Sequence, residues 1–404
     1  MPSYKNLLLA LSAVLPAVLA VPQINRVQTA NTISGKWIAR IEDDGILDDV
    51  LSAVLELAGI EVNNKYTIGS VQGFNFDGDD DILDILQDIG AIKSVEPDSR
   101  VYAYAPLHQH QIRQLDNGTL VSQNGSTWGL SRVSHKETGA TNYIYDQSAG
   151  KDTYIYIIDT GINTEHSEFG GRATIGTSLI EGAEGEDDQG HGTHCAGTAA
   201  GSKFGVAKEA NLIAVKVLGA DGSGSNSGVL QGIEWAVNHA KENGHLDRAV
   251  LSMSLGGEFS QTTNDAIEQA ANAGAFIAVA AGNDGEDASG YSPASAPSAC
   301  TVGAIDKNDI RADFSNFGSV VDIFAPGKDI TSAWIGSASA TNTISGTSMA
   351  CPHVAGLAAY LIGLEGPKSP LELCKRIQEL ALQDVIEDVG TGSPNLLAYN
   401  GNGA

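Results

Sequence analysis

The sequence predicts an α/β protein in which a parallel sheet is flanked by helices in three layers, preceded by a small α+β domain. From about residue 125 onward, apolar strands alternate with helices, and this alternation is typical of a parallel sheet with right-handed crossovers. Residues 21 to about 105 instead follow the order β-α-β-β-α-β, which is typical of a ferredoxin-like unit. The 404 residues are enough for two or three domains.

The first twenty residues predict a secretion signal. Lys5 precedes the apolar run LLLALSAVLPAVLA, and small residues end this run, so we place the cleavage after Ala20. A membrane anchor is the alternative, but the run is short, Pro16 interrupts it, and no stop-transfer pattern follows. We therefore expect a secreted protein, in which disulfides can form.

The small domain is predicted from five segments. SGKWIARI alternates like a strand, and ILDDVLSAVLELAG has helical spacing that ends at Gly59. KYTIGSVQGFNF is typical of a strand pair, DDDILDILQDIG of a helix with an acidic first turn, and IKSVEPDSRVYAYA of a final strand. The polar stretch PLHQHQIRQLDNGTLVSQNGS follows and is interpreted as an exposed linker that proteases can cut. Its sequons at Asn117 and Asn124 predict glycosylation, with an unmodified loop as the alternative.

The large domain is predicted from strands and helices that alternate along the chain. The strands are TYIYIID, NLIAVKVL, AVLSMSL, AFIAVAAGN and ACTVGAI. The helices are HGTHCAGTAAG, SGVLQGIEWAVNHAKENG, TNDAIEQAANAG, TSMACPHVAGLAAYLIGLEG and PLELCKRIQELAL. In such a sheet, functional residues are expected at the carboxyl ends of the strands.

Charge and hydropathy exclude two classes of partner. The net charge is −26 and no cluster of Lys or Arg exists, so the sequence argues against nucleic-acid binding. The apolar run VAGLAAYLIGL is short enough for a buried core helix, and no membrane partner is expected after the signal.

Four residues could form a catalytic set, although each has a simpler interpretation. Asp159 ends a strand but could form a turn, and Asn283 follows another strand and could do the same. His191 and His194 could be surface histidines or a metal pair, but the glutamate of H-E-x-x-H is missing. Ser348 alone is best explained as a helix start. Together, however, the chain supplies Asp, His and Ser in the order that subtilisin uses for nucleophilic catalysis.

Longer motifs extend this pattern into a family resemblance. YIIDTGI, GHGTHCAGT, SLGG, AAGN and SGTSMACPHVAG resemble the subtilases, and TWGLSR, YSPASAPSACTVGAID, DFSNFGS, DIFAPG and NLLAYN resemble their fungal proteinase K-like branch. The resemblance covers about residues 121–404. The preceding block resembles the inhibitory propeptide of the subtilisin type, with less specific motifs.

The resemblance implies a subtilisin-like fold and a secreted serine endopeptidase that is made as a zymogen. It implies that Asp159 orients the imidazole, that His191 is general base and then general acid, and that Ser348 is the nucleophile. It also implies an oxyanion hole built from the Asn283 side chain and the Ser348 backbone N–H, with His194 structural. By alignment the processing cut falls near Leu120–Val121, which divides the chain into a signal (1–20), a propeptide with linker (21–120) and a catalytic domain (121–404).

Substrate binding is also implied by the resemblance. An open apolar pocket for Phe, Tyr or Leu before the cut would be walled by small segments, and an edge would pair with the extended substrate backbone. The wall residues are Ser254, Leu255, Gly256, Ala280, Ala281 and Gly282, and the edge residues are Ser223 and Gly224. Broad specificity toward proteins and peptides is expected of a monomeric enzyme, with its own propeptide as an intramolecular inhibitor.

A structural calcium ion is implied at the carbonyls of Pro297 and Ala299 and the carboxylate of Asp322, whose oxygens suit this cation. An ordinary surface acid is the alternative for Asp322. A second, weaker calcium site of the family is not expected, because Val385 occupies the position of its acid. No cofactor is expected for catalysis.

The four cysteines allow three full pairings and are not spaced like a zinc site. The resemblance implies a disulfide between Cys300 and Cys374, while Tyr154 replaces the first cysteine of another family bridge. Cys195 and Cys351 remain, either as buried inert thiols or as a source of thiol sensitivity.

Two rival functions remain open. A non-catalytic protein on a protease scaffold would be favoured by the loss of a catalytic residue, and all four are present. A metallohydrolase that uses His191 and His194 would lose activity with EDTA without unfolding.

Overall fold

The computed structural model describes residues 22–103 and 120–404. The predicted signal, most of the predicted linker and the sequon at Asn117 lie outside the described residues.

The small domain has the predicted order of elements. Its elements are β1 (Gln23–Ile24), β2 (Thr32–Ile41), α1 (Leu47–Ala58), β3 (Val62–Ile68), β4 (Val71–Asp77), α2 (Asp80–Leu86) and β5 (Ile92–Ala103). The four long strands lie in the order β5-β2-β4-β3. Their inner face packs on the two helices around Trp37, Phe74 and Phe76. Helix α1 ends at Gly59 in the left-handed conformation, with φ of 66°, which glycine adopts without strain.

The large domain contains the predicted parallel sheet together with several short elements. Its strands are β6 (Leu120–Asn124), β7 (Asn142–Asp146), β8 (Tyr154–Asp159), β9 (Ala173–Ser178), β10 (Asn211–Lys216), β11 (Ser223–Ser225), β12 (Ala249–Met253), β13 (Leu255–Glu258), β14 (Phe276–Ala280), β15 (Tyr291–Ser292), β16 (Cys300–Ile305), β17 (Ile323–Pro326), β18 (Ile330–Ala333), β19 (Thr341–Ile344), β20 (Leu382–Gln383) and β21 (Leu396–Leu397). Its α-helices are α3 (Trp128–Ser134), α4 (His191–Ala200), α5 (Asn226–Glu242), α6 (Gln261–Ala273), α7 (Thr347–Glu365) and α8 (Pro370–Leu380).

The central sheet has nine strands in the order β20-β21-β17-β16-β14-β12-β8-β10-β9. Neighbours from β21 to β9 are parallel, and only β20 is antiparallel. One face packs on α4, α7 and α8, and the other packs on α5 and α6. The predicted three-layer α/β architecture is therefore confirmed.

Helix α7 crosses the middle of the core. Its length and hydropathy would suit a membrane span, but 89% of its apolar window is buried inside the protein. The run VAGLAAYLIGL is thus a core helix, as predicted.

The two domains share one ladder. Strand β5 pairs antiparallel with β11 on one side and with β13 on the other. The turn between β3 and β4 lies on the helices α5 and α6, where the Thr67 N–H donates to Glu234 at 2.8 Å and the Ser70 N–H to Gln269 at 3.3 Å. The small domain therefore covers the face of the large domain on which β11 and β13 lie.

Candidate active site

Asp159 and His191 form a buried pair at the carboxyl edge of the sheet. Asp159 is the last residue of β8, and His191 is the first residue of α4. The His191 Nδ1 lies 2.7 Å from Asp159 Oδ1 and 2.9 Å from Oδ2. A carboxylate in this place holds the ring in the tautomer that leaves Nε2 without a proton. His191 Nε2 is buried and has no hydrogen-bond partner among the described residues.

The charge of this pair changes the basicity of the ring. Burial opposes the charged form of His191, but the Asp159 carboxylate outweighs burial and raises the pKa of His191 well above its ordinary value. The imidazole is therefore a stronger base than a free histidine.

Ser348 is the second residue of α7 and is fully buried. Its Oγ donates to the Ser254 carbonyl at 2.8 Å, so the expected bond from Ser348 to His191 is not formed in this conformation. The two residues are nevertheless close, because the Cys195 sulfur lies 3.9 Å from His191 Nδ1 and 3.4 Å from the Ser348 carbonyl oxygen. For Ser348 Oγ to donate to His191 instead, its side chain has to rotate away from the Ser254 carbonyl.

Asn283 lies beside the start of α7 with its amide held in one orientation. Its Oδ1 accepts the Thr347 N–H at 2.9 Å and the Thr347 hydroxyl at 2.8 Å. Both bonds use the oxygen, so the NH₂ group is turned away from Thr347. The Ser348 N–H belongs to the first turn of α7, where backbone N–H groups have no partner within the helix. Asn283 and Ser348 thus supply two N–H donors at the same edge.

Asp187 organises the segment between Asp159 and His191, and it is not among the residues that the sequence motifs predicted. Its Oδ1 accepts from the Thr160 hydroxyl at 2.8 Å and the Gly190 N–H at 2.8 Å. Its Oδ2 accepts from both the N–H and the hydroxyl of Thr193, at 2.9 and 2.6 Å. One carboxylate therefore ties the residue after Asp159 to the first turn of the helix that carries His191. Its position just before GHGTH was the available signal.

Lys216 is a second missed residue. It pairs with Asp159 in the parallel ladder and is fully buried. Its Nζ donates to the Thr160 carbonyl and to the Asp188 carboxylate, both at 2.6 Å. A buried lysine side chain therefore fixes the backbone that follows Asp159, and a lysine inside an apolar strand was the signal for it.

Asn316 holds the loop of Asn283. Its Oδ1 accepts the N–H groups of Asp284 and Glu286, both at 3.0 Å, and its amide donates to the Ala281 carbonyl at 3.0 Å. Gly282 between them has φ of 105°, and a Cβ on it would come within 2.3 Å of the Asn316 nitrogen. This close approach requires glycine.

The predicted substrate edge and one predicted wall lie on either side of β5. Tyr102 of β5 pairs with Ser223 of β11 and with Gly256 of β13. The Ala103 N–H donates to the Gly222 carbonyl at 3.0 Å. Strand β5 therefore occupies a slot whose two sides are the predicted edge (Ser223, Gly224) and the predicted wall (Leu255, Gly256).

The other predicted wall lies next to α7. Ala280 ends β14, and Ala281 follows it in the core. The Gly282 N–H donates to the Thr347 hydroxyl at 3.2 Å, so this segment contacts the residue before Ser348. Ser254, the first residue of the opposite wall, contacts Ser348 directly.

His194 is separate from this chemistry. Its Nε2 hydrogen-bonds the Ile330 carbonyl at 2.9 Å, and burial lowers its pKa to about 3. A neutral imidazole donating to the backbone is structural, so it does not form a metal pair with His191.

The cysteines follow the implied pattern. Cys300 and Cys374 form a disulfide, while Cys195 and Cys351 are free and buried. Burial raises the pKa of Cys195 and raises that of Cys351 to about 12, so both are neutral thiols at ordinary pH. The ring of Tyr154, which replaces a bridge cysteine, stacks on His245.

Asp322 has the surroundings of a cation ligand. Its Oδ2 accepts the Thr301 N–H at 2.8 Å and its Oδ1 accepts from the Gln378 amide at 3.3 Å. Burial raises the pKa of Asp322 to about 6. A largely buried carboxylate with neutral donors gains from a bound cation, and the oxygens of Asp322 suit calcium. Pro297 and Ala299 stay predicted as the further ligands.

Asn124 is exposed at the end of β6. Its glycosylation stays a prediction.

Comparisons with known proteins agree with this geometry. The Subtilase family matches residues 150–403. "Subtilisin-like protease 2" of Pseudogymnoascus destructans is 52% identical over 343 residues, which are 85% of this chain and 81% of that protein. "Alkaline protease 1" of Emericella nidulans is 45% identical over 99% of both chains.

A solved structure described as a cold adapted subtilisin-like serine proteinase has 41% identity and a TM-score of 0.65, and it covers 69% of this chain and 99% of that one. The family match spans the sheet and all of the residues that converge on Ser348. The chain therefore belongs to the subtilase family and is a serine endopeptidase.

Proposed function

We propose that the protein is a secreted endopeptidase that cuts proteins through an acyl-enzyme, using Ser348, His191, Asp159 and Asn283, after it has processed itself. The observation that carries the proposal is the buried hydrogen bond between Asp159 and His191 beside the start of α7. An imidazole with an unprotonated, unpaired Nε2 next to a serine is the arrangement that makes a hydroxyl nucleophilic.

The reaction follows from these positions. Ser348 turns from the Ser254 carbonyl, gives its proton to His191 Nε2, and attacks the scissile carbonyl carbon. Negative charge on the carbonyl oxygen is stabilised by the Asn283 NH₂ and the Ser348 N–H, and one such donor lowers the barrier by about 3 kcal/mol. His191 then protonates the leaving amine, and water cleaves the acyl-enzyme by the same steps.

The small domain acts as an inhibitor that binds in the manner of a substrate. Strand β5 already fills the slot between β11 and β13 with main-chain pairing, and this pairing is independent of side chains. Val101 of β5 is buried among apolar residues of the large domain, including Leu218 and Leu255. We therefore expect broad specificity. The preference for apolar or aromatic side chains before the cut rests on the small residues of the two predicted pocket walls.

The register of β5 also supports a site for the first cut. Ala103 pairs with Leu255, so the next pair in the antiparallel ladder would involve Ser254. The Ser254 carbonyl is 2.8 Å from Ser348 Oγ. In the sequence Tyr104 follows Ala103, and we infer that the bond cut first is Tyr104–Ala105.

The predicted boundary at Leu120–Val121 would then be a second cut. This bond lies in β6, which pairs with β7 rather than with the strands of the slot. We infer that the stretch between the two cuts is trimmed later, after the first cut has freed it.

The test compares the wild type with Ser348→Ala, and with Ser345→Ala as a matched control in the same loop. Each is secreted from the full-length gene, and azocasein hydrolysis and N-terminal sequences are followed with time. We expect Ser348→Ala to be inactive and to keep its propeptide, while the control is active. Equal activity of Ser348→Ala and wild type would remove the assignment.

The same time course tests the order of cuts. We expect a product that begins at Ala105 before one that begins at Val121. A first product that begins at Val121 would refute the register argument without affecting the catalytic assignment.

We also propose that calcium binds Pro297, Ala299 and Asp322 as a structural ion. Secretion rests on the predicted signal in residues 1–20, and glycosylation on the sequons at Asn117 and Asn124.

A further inference from the structure

Two histidines converge on one tyrosine at the opposite end of β8 from the candidate active site. Tyr156 lies in β8, His239 near the end of α5, and His245 in the turn before β12. The Tyr156 Oη is 2.8 Å from His239 Nδ1 and 2.8 Å from His245 Nε2. Nothing in the proposed protease mechanism uses this cluster.

Neighbouring rings hold the two imidazoles in place. Tyr154 stacks on His245 with 3.7 Å between centroids, and Trp235 stacks on His239 at 4.6 Å. Both stacks are nearly parallel, at 11° and 18°. The nitrogens that face Tyr156 are therefore oriented before any ligand arrives, which lowers the entropic cost of binding.

The hydrogen bonds set the tautomer of His245. Its ring also forms a hydrogen bond with the backbone of Asn243. This bond raises the pKa of His245, so a ring N–H donates and the Asn243 carbonyl accepts. Since Nε2 faces Tyr156, the donor to Asn243 is Nδ1. The neutral ring then has a lone pair on Nε2, which accepts the Tyr156 proton. A histidine that donates one N–H to a backbone carbonyl and offers the other nitrogen is the usual form of a metal ligand.

The hydrogen bond to Tyr156 also sets the tautomer of His239. Tyr156 has one hydroxyl proton, which is given to His245, so His239 Nδ1 is a donor to the Tyr156 oxygen. Moving this proton to Nε2 would free a second inward lone pair without releasing a proton. His239 is half-buried, whereas Tyr156 and His245 are buried, so a small ion would enter from the His239 side.

We propose that His239 Nδ1, His245 Nε2 and Tyr156 Oη form a binding site for one divalent copper ion. Two donors about 2.0 Å from one ion and at right angles lie about 2.8 Å apart, which matches both observed separations. Imidazole nitrogen suits copper, and right-angled nitrogen and oxygen donors are typical of Cu²⁺.

The His245 ring is neutral, as a metal ligand has to be. Burial and the neighbouring His239 lower the pKa of His245, and the whole chain has a net charge of −26, which favours cations in general. Tyr156 would bind as a neutral phenol and would be the weakest of the three ligands, since burial raises its pKa.

Other histidines of the chain could also bind copper, and the experiment has to separate them. Asp159, His191 and Cys195 bring their ligand atoms within 4.8 Å of one another. His108 and His110 are two residues apart in the predicted linker. Cys195→Ser and the double variant His108→Gln/His110→Gln are therefore the matched controls.

The test measures Cu²⁺ binding to the full chain carrying Ser348→Ala, which prevents self-digestion. Calorimetry gives stoichiometry and Kd, and electron paramagnetic resonance reports the coordinated nitrogens. We expect one tight site with two nitrogen ligands that survives in both controls. His239→Gln and His245→Gln should each weaken it by about ten-fold or more, and Tyr156→Phe by less.

Unchanged Kd in His239→Gln and His245→Gln, or loss of the site only in a control, would overturn the proposal. Circular dichroism checks that each variant is folded. If His245→Gln unfolds, His239→Gln decides the outcome, because its half-buried ring is the less disruptive change. The measurement uses an inactive chain, so its outcome is independent of the proposed protease function.

Discussion

Ser254 and Ser348 exchange hydrogen bonds, each hydroxyl donating to the backbone carbonyl of the other at 2.8 Å. The pair joins the residue before β13 to the first turn of α7. It holds Ser348 Oγ on the substrate-wall side, where it cannot at the same time donate to His191. The proposed nucleophile is thus held in a hydrogen bond that has to break before it reacts.

Ser254→Ala tests how much the hydrogen bond from the Ser254 hydroxyl contributes to activity. It removes the hydroxyl that anchors the Ser348 carbonyl but keeps the Ser254 carbonyl that accepts from Ser348 Oγ. One such bond contributes about 1 kcal/mol, so we expect kcat/KM on a peptide substrate to fall by about five-fold. Ser252→Ala, on the adjoining strand, is the control and should leave kcat/KM nearly unchanged. A loss above about a thousand-fold would mean that the Ser254 hydroxyl takes part in the chemistry.

The acid limb of the pH profile should reflect the Asp159–His191 pair. The general base has to be neutral, and Asp159 raises the pKa of His191. Activity should therefore rise with pH through a value above that of a free histidine, about 6.5. The kcat/KM of the processed enzyme, measured against pH, gives this value.

Asp159→Asn should move the limb to lower pH and reduce kcat by about 10⁴-fold, because the ring loses both its charge partner and its tautomer. A limb that does not move would show that another group sets it. Asp188→Asn, which changes a half-exposed acid near the same strand end, is the matched control and should shift the limb far less.

The two free thiols should be inert in the folded protein. Cys195 and Cys351 are fully buried, and burial raises the pKa of both thiols, to about 12 for Cys351. Since the thiolate is the reactive form, we expect no reaction with a disulfide reagent under native conditions and two thiols per chain after unfolding without reductant. One rapidly reacting native thiol would instead support the thiol-sensitive alternative.

The sequence predicted most of the fold because apolar residues recur with a clear period along the long strands and helices. The buried strand of Tyr154–Asp159 is continuously apolar, and α1 and α6 end at Gly59 and Gly274. The catalytic candidates were also predictable, since strand ends and chain order together point to one edge of the sheet.

Contacts between distant segments could not be predicted in the same way. Nothing local in the sequence reveals that Asp187 ties Thr160 to Thr193, or that Lys216 reaches Asp188. The two-stranded ladder of β6 and β7, which are separated in the chain by α3, was not predicted because strands of five residues are too short to show a clear hydrophobic period. The side-chain conformation of Ser348 likewise depends on a carbonyl 94 residues away in the chain.

Two carboxylates of β5 should make the binding of the small domain depend on pH. At the start of α6, Glu96 accepts from the Ser260 hydroxyl at 2.5 Å. At the start of α5, Asp98 accepts from the Ser227 hydroxyl at 2.6 Å and from the Ser227 N–H at 3.3 Å. Burial raises the pKa of both acids. Because the pKa of each carboxyl is higher in the bound state than in the free small domain, binding favours the protonated carboxyls. The small domain should therefore bind more weakly as the pH rises through the pKa values of Glu96 and Asp98.

The measurement is the Kd between the small domain and the enzyme after the first cut, as a function of pH. Glu96→Gln/Asp98→Asn should flatten the dependence, whereas Asp88→Asn, an exposed acid of the same domain, should not. Binding that tightens with rising pH would contradict the assignment.

Asp322 should change its effect on stability according to whether calcium is present. Its pKa of about 6 exceeds that of an unfolded aspartate. In EDTA its stabilising contribution is therefore present at acid pH and lost as the pH rises through about 6. At pH 8 the buried charge is unfavourable, and Asp322→Asn should raise the Tm of the processed Ser348-inhibited enzyme by about 2–5 °C.

With calcium in excess the sign should reverse, because Asp322→Asn removes the charged ligand and with it the ion's preference for the folded state. The Tm of this variant should then fall below that of the wild type and should no longer respond to calcium. Asp306→Asn, which changes an acid in the turn after β16, is the control and should keep the calcium response. If Asp322→Asn responds to calcium as the wild type does, the ion binds elsewhere.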